Sequence, residues 1–388
     1  MRILVVHNRY RSSAPSGENK VVDDDVARLC AAGVEVERYE RSSDDIADMS
    51  LPAKLAVGVR PVHSFADTRA LGGVIDRFRP DVVHLHNPFP MISPSVIRTA
   101  RRRGVAVVQT VHNYRATCIA GTHYRDERIC TACCGRSPLP GIRHGCYQGS
   151  RVRSVPLAVS SVVHRSTWRA VDRFLAVSPF VARWLVEHDV APADRVDVRW
   201  NSIVDPGPPV LPGSGALFTG RIERQKGALA LVRALRRTDL DLRLTIAGDG
   251  PDRAQLEREV GGDPRIDLIG LVDADRVQRE LRRAAFAVVP SLWNEPATLS
   301  ATEALAHGRA VLATRIGGLV DVVGEATGWV VDPTVDGLEA GLRAAAATTA
   351  EDLASRGVAA RERYERRHHP DRAVERLVEL YGEVSGAS

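Results

Sequence analysis

No stretch of this 388-residue chain stays apolar for the ~18 residues that a membrane-spanning helix needs, so nothing in it reads as a span. Aromatic residues are scarce, at 5%, which leaves Ala, Val and Leu to fill any core. The turn after the first apolar run has no G-x-G-x-x-G, which argues against a dinucleotide-dependent dehydrogenase. Internal repeats and low-complexity tracts are absent, and no aromatic-interleaved RNA motif or helix-turn-helix pattern accompanies the basic residues. Nucleic acid is therefore not expected as a partner. Asp23-Asp24-Asp25 superficially offers a metal-binding D-x-D, but it lies inside a helical pattern of apolar positions (Val21, Val22, Val26, Leu29) and reads as a solvated helix face.

The length suggests two α/β domains. The start, MRILVVHN, has too short an apolar run for a signal peptide and reads as a buried strand. The expected location is the cytoplasm, where the six Cys would stay reduced. The net charge of +5 is uneven: Arg98 to Arg183 holds fifteen Arg against three acids, so the remainder is net acidic. Such a basic face suits anionic partners, including phosphates or the inner surface of an anionic membrane; the bland alternative is a solvated face.

Buried-strand runs at 3–6, 34–39, 81–86, 105–111, 173–177 and 196–200 outline a first doubly wound domain. The stretch 42–62 is ambiguous and reads as surface chain. Pro206-Gly207-Pro208-Pro209 and Pro212-Gly213-Ser214-Gly215 mark a boundary, giving domains at 1–205 and 206–369. Further strand runs follow at 216–219, 242–247, 266–270, 286–289 and 310–313. The most informative stretch, VVPSLWNEPATLSATEALAHGRAVLATRIGG, reads as strand, polar turn, helix and strand. It places Glu295 in the turn, Thr298 as a candidate N-cap and Glu303 in the helix, with Gly308 as the stop. Turns at the carboxyl ends of parallel strands bind ligands, and a helix N-terminus there suits a phosphate.

These residues resemble the retaining glycosyltransferases of family 4, which have the GT-B fold: two Rossmann-like domains facing across a cleft. The family's pattern of a Glu, seven residues, Glu-Ala-x-Ala-x-Gly appears as Glu295, Glu303, Ala304, Ala306 and Gly308. Its Gly-Arg-x4-Lys-Gly appears from Gly220 to Gly227, and its Asn-x-x-x-Asp at Asn201 and Asp205. The resemblance implies a hexosyltransferase-type enzyme of glycan or glycoconjugate biosynthesis, with no catalytic cofactor. Arg221 and Lys226 would stabilise a leaving diphosphate, Glu295 and His112 would contact the sugar, and Glu303 would hold ribose hydroxyls. Gly17, Gly220, Asp249, Gly250, Val272, Thr298 and Leu299 complete the implied donor site. Where the family commonly has Phe-Gly, this chain has Ala297-Thr298, so a side chain is added beside the sugar. The acceptor is implied to sit on the first domain, as a glycan, a lipid-linked sugar or a small molecule. The helix at 370–388 would cross back onto that domain.

Cys118, Cys130, Cys133 and Cys146 have the spacing of a structural zinc site; packed free thiols or a redox-sensitive cluster are the alternative readings. Two other functions fit the same architecture. A sugar-nucleotide 2-epimerase would need no acceptor and would lack the Arg–Lys pair at this spacing. A non-catalytic nucleotide-sugar-binding scaffold should have lost some of Arg221, Lys226, Glu295 and Glu303.

Overall fold

Apolar runs alternating with amphipathic stretches build two six-stranded parallel sheets in the computed structural model, which describes residues 1–13, 16–135 and 137–386. Strands β1 (Arg2–Arg9), β2 (Glu35–Ser42), β3 (Val82–Leu85) and β4 (Ala106–Val111) open the chain. A two-stranded antiparallel hairpin follows, β5 (Tyr124–Arg125) with β6 (Arg128–Ile129). Then come β7 (Arg173–Ala176), β8 (Val196–Val198), β9 (Ala216–Thr219), β10 (Leu244–Ala247), β11 (Ile266–Gly270), β12 (Phe286–Val289), β13 (Ala310–Thr314) and β14 (Gly328–Val331). The first sheet runs β2-β1-β3-β4-β7-β8 and the second β11-β10-β9-β12-β13-β14.

Strands covered by helices on both faces read as continuous apolar runs rather than alternating ones. Thus FAVV in β12 and AVLAT in β13 are buried at every position. The strand order reverses between β1 and β3 in the first sheet and between β9 and β12 in the second. These are the switch points where open α/β sheets bind ligands, so the turns after β9 and β12 are the first place to look for a site.

The chain divides into two units. The first holds Met1–His123, Cys130–Trp200 and the last helix from Ala373; the second holds Tyr124–Ile129 and Asn201–Arg372. In the first, Leu377, Leu380 and Tyr381 of the helix Pro370–Ser385 join Ile3, Val5 and Val108 in one core. In the second, Leu231, Leu235, Ile246, Leu312 and Leu342 are among the fully buried residues. Among the described residues no helix is long and apolar enough to cross a membrane.

Three local expectations are corrected. The stretch 42–62 is largely helical, with short helices at Asp45–Asp48 and Leu51–Val59. Cys30, whose place on the first helix reads as a core position, is exposed in the last turn of the helix Gly17–Ala31. Asp25 is not solvated: it is 4% exposed and accepts 2.7 and 2.5 Å bonds from both terminal nitrogens of Arg199, itself 2% exposed. Asp23 does lie at the surface, where Arg9 and Arg38 pair with it.

Removing one partner of a buried ion pair strands the other charge. Asp25→Ala should therefore lower the stability of the first unit by about 3–5 kcal/mol, read as a shift in denaturant midpoint.

Several histidines are buried as neutral rings. Burial, with Arg199 nearby, lowers the His84 pKa to about 3, and burial lowers those of His164 and His368 to about 4. Their unfolded counterparts titrate near 6.5. Between these values the unfolded chain binds protons that the folded chain does not, so stability falls as pH drops from about 6.5 towards about 4. Melting temperatures across that window should decline, and a His368→Phe variant should decline less steeply.

Candidate functional site

At the switch point of the second sheet, the turn after β9 runs straight into the turn after β12. Gly227 closes the first turn in the left-handed region (φ +78°), and a Cβ there would sit 1.8 Å from the Pro290 carbonyl oxygen. Only glycine allows this approach. The Leu292 amide donates to the Gln225 carbonyl at 2.8 Å, which ties the two turns together. Lys226, carried on the tied segment, donates from Nζ to Glu295 Oε1 at 2.7 Å. The same oxygen accepts from Ser291 Oγ and from Trp293 Nε1, each at 2.8 Å. The Lys226 ammonium also lies 5.4 Å from the centre of the Trp293 ring. Glu295 is thus a buried carboxylate whose Oε1 is saturated, while the Lys226 side chain keeps 27% exposure.

The segment after β13 fixes Glu295 from behind. Gly317 (φ +53°) leaves room where a Cβ would come within 2.5 Å of the Glu295 amide nitrogen, and the Gly318 amide donates to the Glu295 carbonyl at 2.6 Å. Sequence reasoning singled out Glu295 and Lys226 but not Ser291 as a partner. The signal was there: Ser291, Trp293 and Glu295 alternate along one short segment after a strand, which puts their side chains on one side.

The other residues named for this unit lie at the same carboxyl ends. Gly220 and Arg221 follow β9, and exposed Arg221 sits 3.6 Å from Glu223. Asp249 and Gly250 follow β10, with the Gly250 amide donating to Asp249 Oδ1 at 2.7 Å. Val272 follows β11. Leu299 and Glu303 belong to the helix Leu299–Ala306, whose N-cap position is taken by Thr298. The expected capping bond is absent: Thr298 Oγ1 is buried without a hydrogen-bond partner among the described residues.

Gly17 and His112 belong to the first unit. Gly17 opens a helix whose N-cap, Ser16, accepts from the Glu18 amide at 3.2 Å. His112 follows β4, and its Nε2 lies 3.0 Å from His86 Nδ1, with the two rings stacked. Behind them His84 bridges Tyr381 OH at 2.6 Å and Thr110 Oγ1 at 2.7 Å. Burial first, and then neighbouring His7 and Arg199, hold His112 well below the usual histidine range, so it is neutral at pH 7. His112 and Asn113 line a cavity of about 40 Å³.

Glu18 was missed by the sequence reading. It is 9% exposed, and burial pushes its carboxyl up to about 7. Tyr10 donates to its Oε2 at 3.0 Å, whereas Oε1 has no hydrogen-bond partner among the described residues. The spacing Glu18, Val22, Asp25, Leu29 puts it on the buried stripe of its helix, which was the available signal.

Among the described residues Cys118, Cys130, Cys133 and Cys146 form no disulfide. Among the described residues no group of three or more His, Cys, Asp or Glu is placed to hold a metal ion. Burial, reinforced by neighbouring thiols, pushes Cys133 and Cys134 up to about 11, the range of a protonated thiol at pH 7. Cys133 instead points at the Pro138 carbonyl, and Cys134 lies 3.4 Å from His123 Nε2.

Comparison with known proteins bears on both units. A family described as glycosyl transferase 4-like domain matches residues 16–201, and one described as glycosyl transferases group 1 matches residues 213–348. The D-inositol 3-phosphate glycosyltransferase of Pseudarthrobacter chlorophenolicus is 39% identical over 152 residues, which are 36% of this chain and 35% of that one. The chain therefore spans about a third of that relative's length. The alpha-maltose-1-phosphate synthase of Mycolicibacterium smegmatis is 30% identical over 261 residues, 58% of this chain and 67% of that one. The glycogen synthase of Mycobacterium tuberculosis is 28% identical over 94% of this chain and 90% of its own. Among solved structures, sucrose-phosphate synthase from Thermosynechococcus elongatus superposes with a TM-score of 0.69, at 18% identity and full coverage of both chains. Anabaena HepE in complex with UDP-glucose does so with 0.67, at 14% identity, covering 99% of this chain and 100% of that one. The two structures share the fold, two six-stranded parallel sheets of the GT-B type, and the sequence matches carry the family: this chain belongs to the group 1 glycosyltransferases.

Proposed function

We propose that this glycosyltransferase moves a hexose from a nucleotide-diphosphate donor to an acceptor hydroxyl with retention of anomeric configuration. The observation that carries the reading is the Lys226–Glu295 pair, held at the switch point of the second sheet with Ser291 and Trp293. An ammonium has three N–H donors. One goes to Glu295, and the partly exposed side chain directs the others outward to a diphosphate. Arg221, exposed at the same turn, adds a second cation. With Oε1 of Glu295 saturated, we assign Oε2 to a sugar hydroxyl and Glu303 to the ribose. Gly220, Asp249, Gly250 and Val272 line the nucleotide, and backbone N–H groups at Thr298 and Leu299 meet the sugar and phosphate. HepE, which was solved with UDP-glucose, supports a sugar nucleotide as donor.

In the reaction, the bond between the anomeric carbon and the diphosphate oxygen breaks as the acceptor oxygen bonds to the same face of that carbon. The acceptor proton passes to the leaving phosphate oxygen. Negative charge accumulates on that phosphate as the bond breaks, so Lys226 and Arg221 interact more strongly with the transition state than with the donor.

Lys226→Met should cut kcat/KM by about 10- to 150-fold, with most of the loss in kcat, since a charge-assisted hydrogen bond contributes roughly 1.5–3 kcal/mol. Glu295 keeps only neutral donors in this variant, so its melting temperature should also fall. Turnover within about twofold of wild type, a difference of under roughly 0.5 kcal/mol, would show that the Gly220–Gly227 turn does not hold the diphosphate. In a thermal-shift panel of UDP-, GDP- and ADP-sugars, the true donor at 100 times its Kd should add roughly 2.7 kcal/mol of stability. Because Arg221, Lys226 and helix dipoles supply the neutralising charge, chelation with EDTA should leave turnover unchanged; a strict requirement for magnesium or manganese would count against the scheme.

A further inference from the structure

The helix Arg151–Val163 (RVRSVPLAVSSVV) breaks three rules for a helix that faces only water. Its inward face is Ser154, Leu157, Ala158 and Ser160, small and partly polar. Its outward face is apolar: Val152 is 80% exposed, and Val155, Val159, Val162 and Val163 are each between 42% and 47% exposed. Spacings of three and four residues place these valines in one stripe. β-branched residues are also poor helix formers, so neither propensity nor core packing accounts for them. Finally, the first turn carries Arg151 and Arg153 and no acid, although the positive end of the helix dipole disfavours cations there.

The surroundings extend the pattern. Ser160 donates to the Pro61 carbonyl at 2.7 Å, and His164 Nε2 to that of Val62 at 2.8 Å. These bonds fix a turn beside the helix, and that turn is bracketed by Val59 and Phe65, which are 59% and 81% exposed. Charge of one sign surrounds the patch in sequence: from Arg128 to Val171 there is no Asp or Glu, against seven Arg. Arg151 Nε donates to the Arg143 carbonyl and Arg153 to the Gln148 side chain, so neither guanidinium bonds to a carboxylate among the described residues.

We infer that this valine face, rimmed by Arg151 and Arg153, docks the first unit onto the surface of an anionic lipid bilayer. An amphipathic helix lying in the interface plane buries its apolar side at the headgroup–acyl boundary, and arginines at its rim bond to lipid phosphates. Each broken rule is then compensated: the valines leave water, and the cations in the first turn meet anions. A second copy of the chain fits less well, because pairing two such faces would bring like charges together. The inference does not depend on the reading of the donor site in the other unit.

The test is co-sedimentation of the full chain with large vesicles, either phosphatidylcholine alone or an equimolar mixture with phosphatidylglycerol. Binding should be confined to the anionic vesicles at low salt and should weaken steeply as salt rises. Val155→Asp combined with Val159→Asp should weaken binding by at least about tenfold. Arg151→Glu combined with Arg153→Glu should do the same, at roughly 1 kcal/mol per charge near the surface. All four positions are exposed, so melting temperatures should hold; Val152→Ser with Val162→Ser provides a milder second variant. No binding to anionic vesicles at low salt overturns the inference. So does binding that ignores both valine variants, which would mean adsorption by charge alone. A lipid-free dimer that the valine variants disperse would assign the face to a second copy instead.

Discussion

The second unit depends on one close backbone approach, Gly227 against the Pro290 carbonyl. A parallel sheet brings the turns of neighbouring strands near each other but does not make them touch. Here the contact is made by removing a side chain, and the Leu292–Gln225 hydrogen bond then locks it. Lys226 and Glu295, 69 residues apart in the chain, become partners because the turns that carry them are joined. A buried carboxylate is tolerable only when it is paired and hydrogen-bonded, and Glu295 has three donors on one oxygen. The proposed donor site therefore rests on a rigid anion that holds a partly exposed cation in place.

The first unit is organised on a different principle. Its polar groups run in depth from Tyr381 through His84, with His86 and His112 nearer the strand ends. Burial holds each of these histidine rings neutral. At the strand ends, the second unit thus presents a fixed ion pair and the first a set of neutral rings.

Much of this was legible in the sequence, because turns after buried strands carry the candidate site residues and strand runs are easy to read. Glu295, Lys226 and the strands that position them follow from that grammar. What escaped were polar residues hidden in apolar stripes. Glu18 and Asp25 share the face of Val22 and Leu29, yet charge alone made Asp25 look solvated, because its partner Arg199 lies 174 residues away. The stretch 42–62 was unreadable for a related reason: its helices are short and carry little amphipathic pattern. The cysteine spacing was the reverse case. It resembles a ligand set, whereas among the described residues no three such side chains are gathered into a metal-holding group.

The last helix carries a consequence for how the molecule is made. Leu377, Leu380 and Tyr381 complete the core that begins with Ile3 and Val5. A ribosome therefore releases every residue of the second unit before it supplies the final wedge of the first. The earliest strands to emerge must wait, with part of their apolar surface uncovered, until the carboxyl-terminal helix arrives. The unit begun before the other is finished after it, and a nascent chain halted before Pro370 would hold one mature half and one open half.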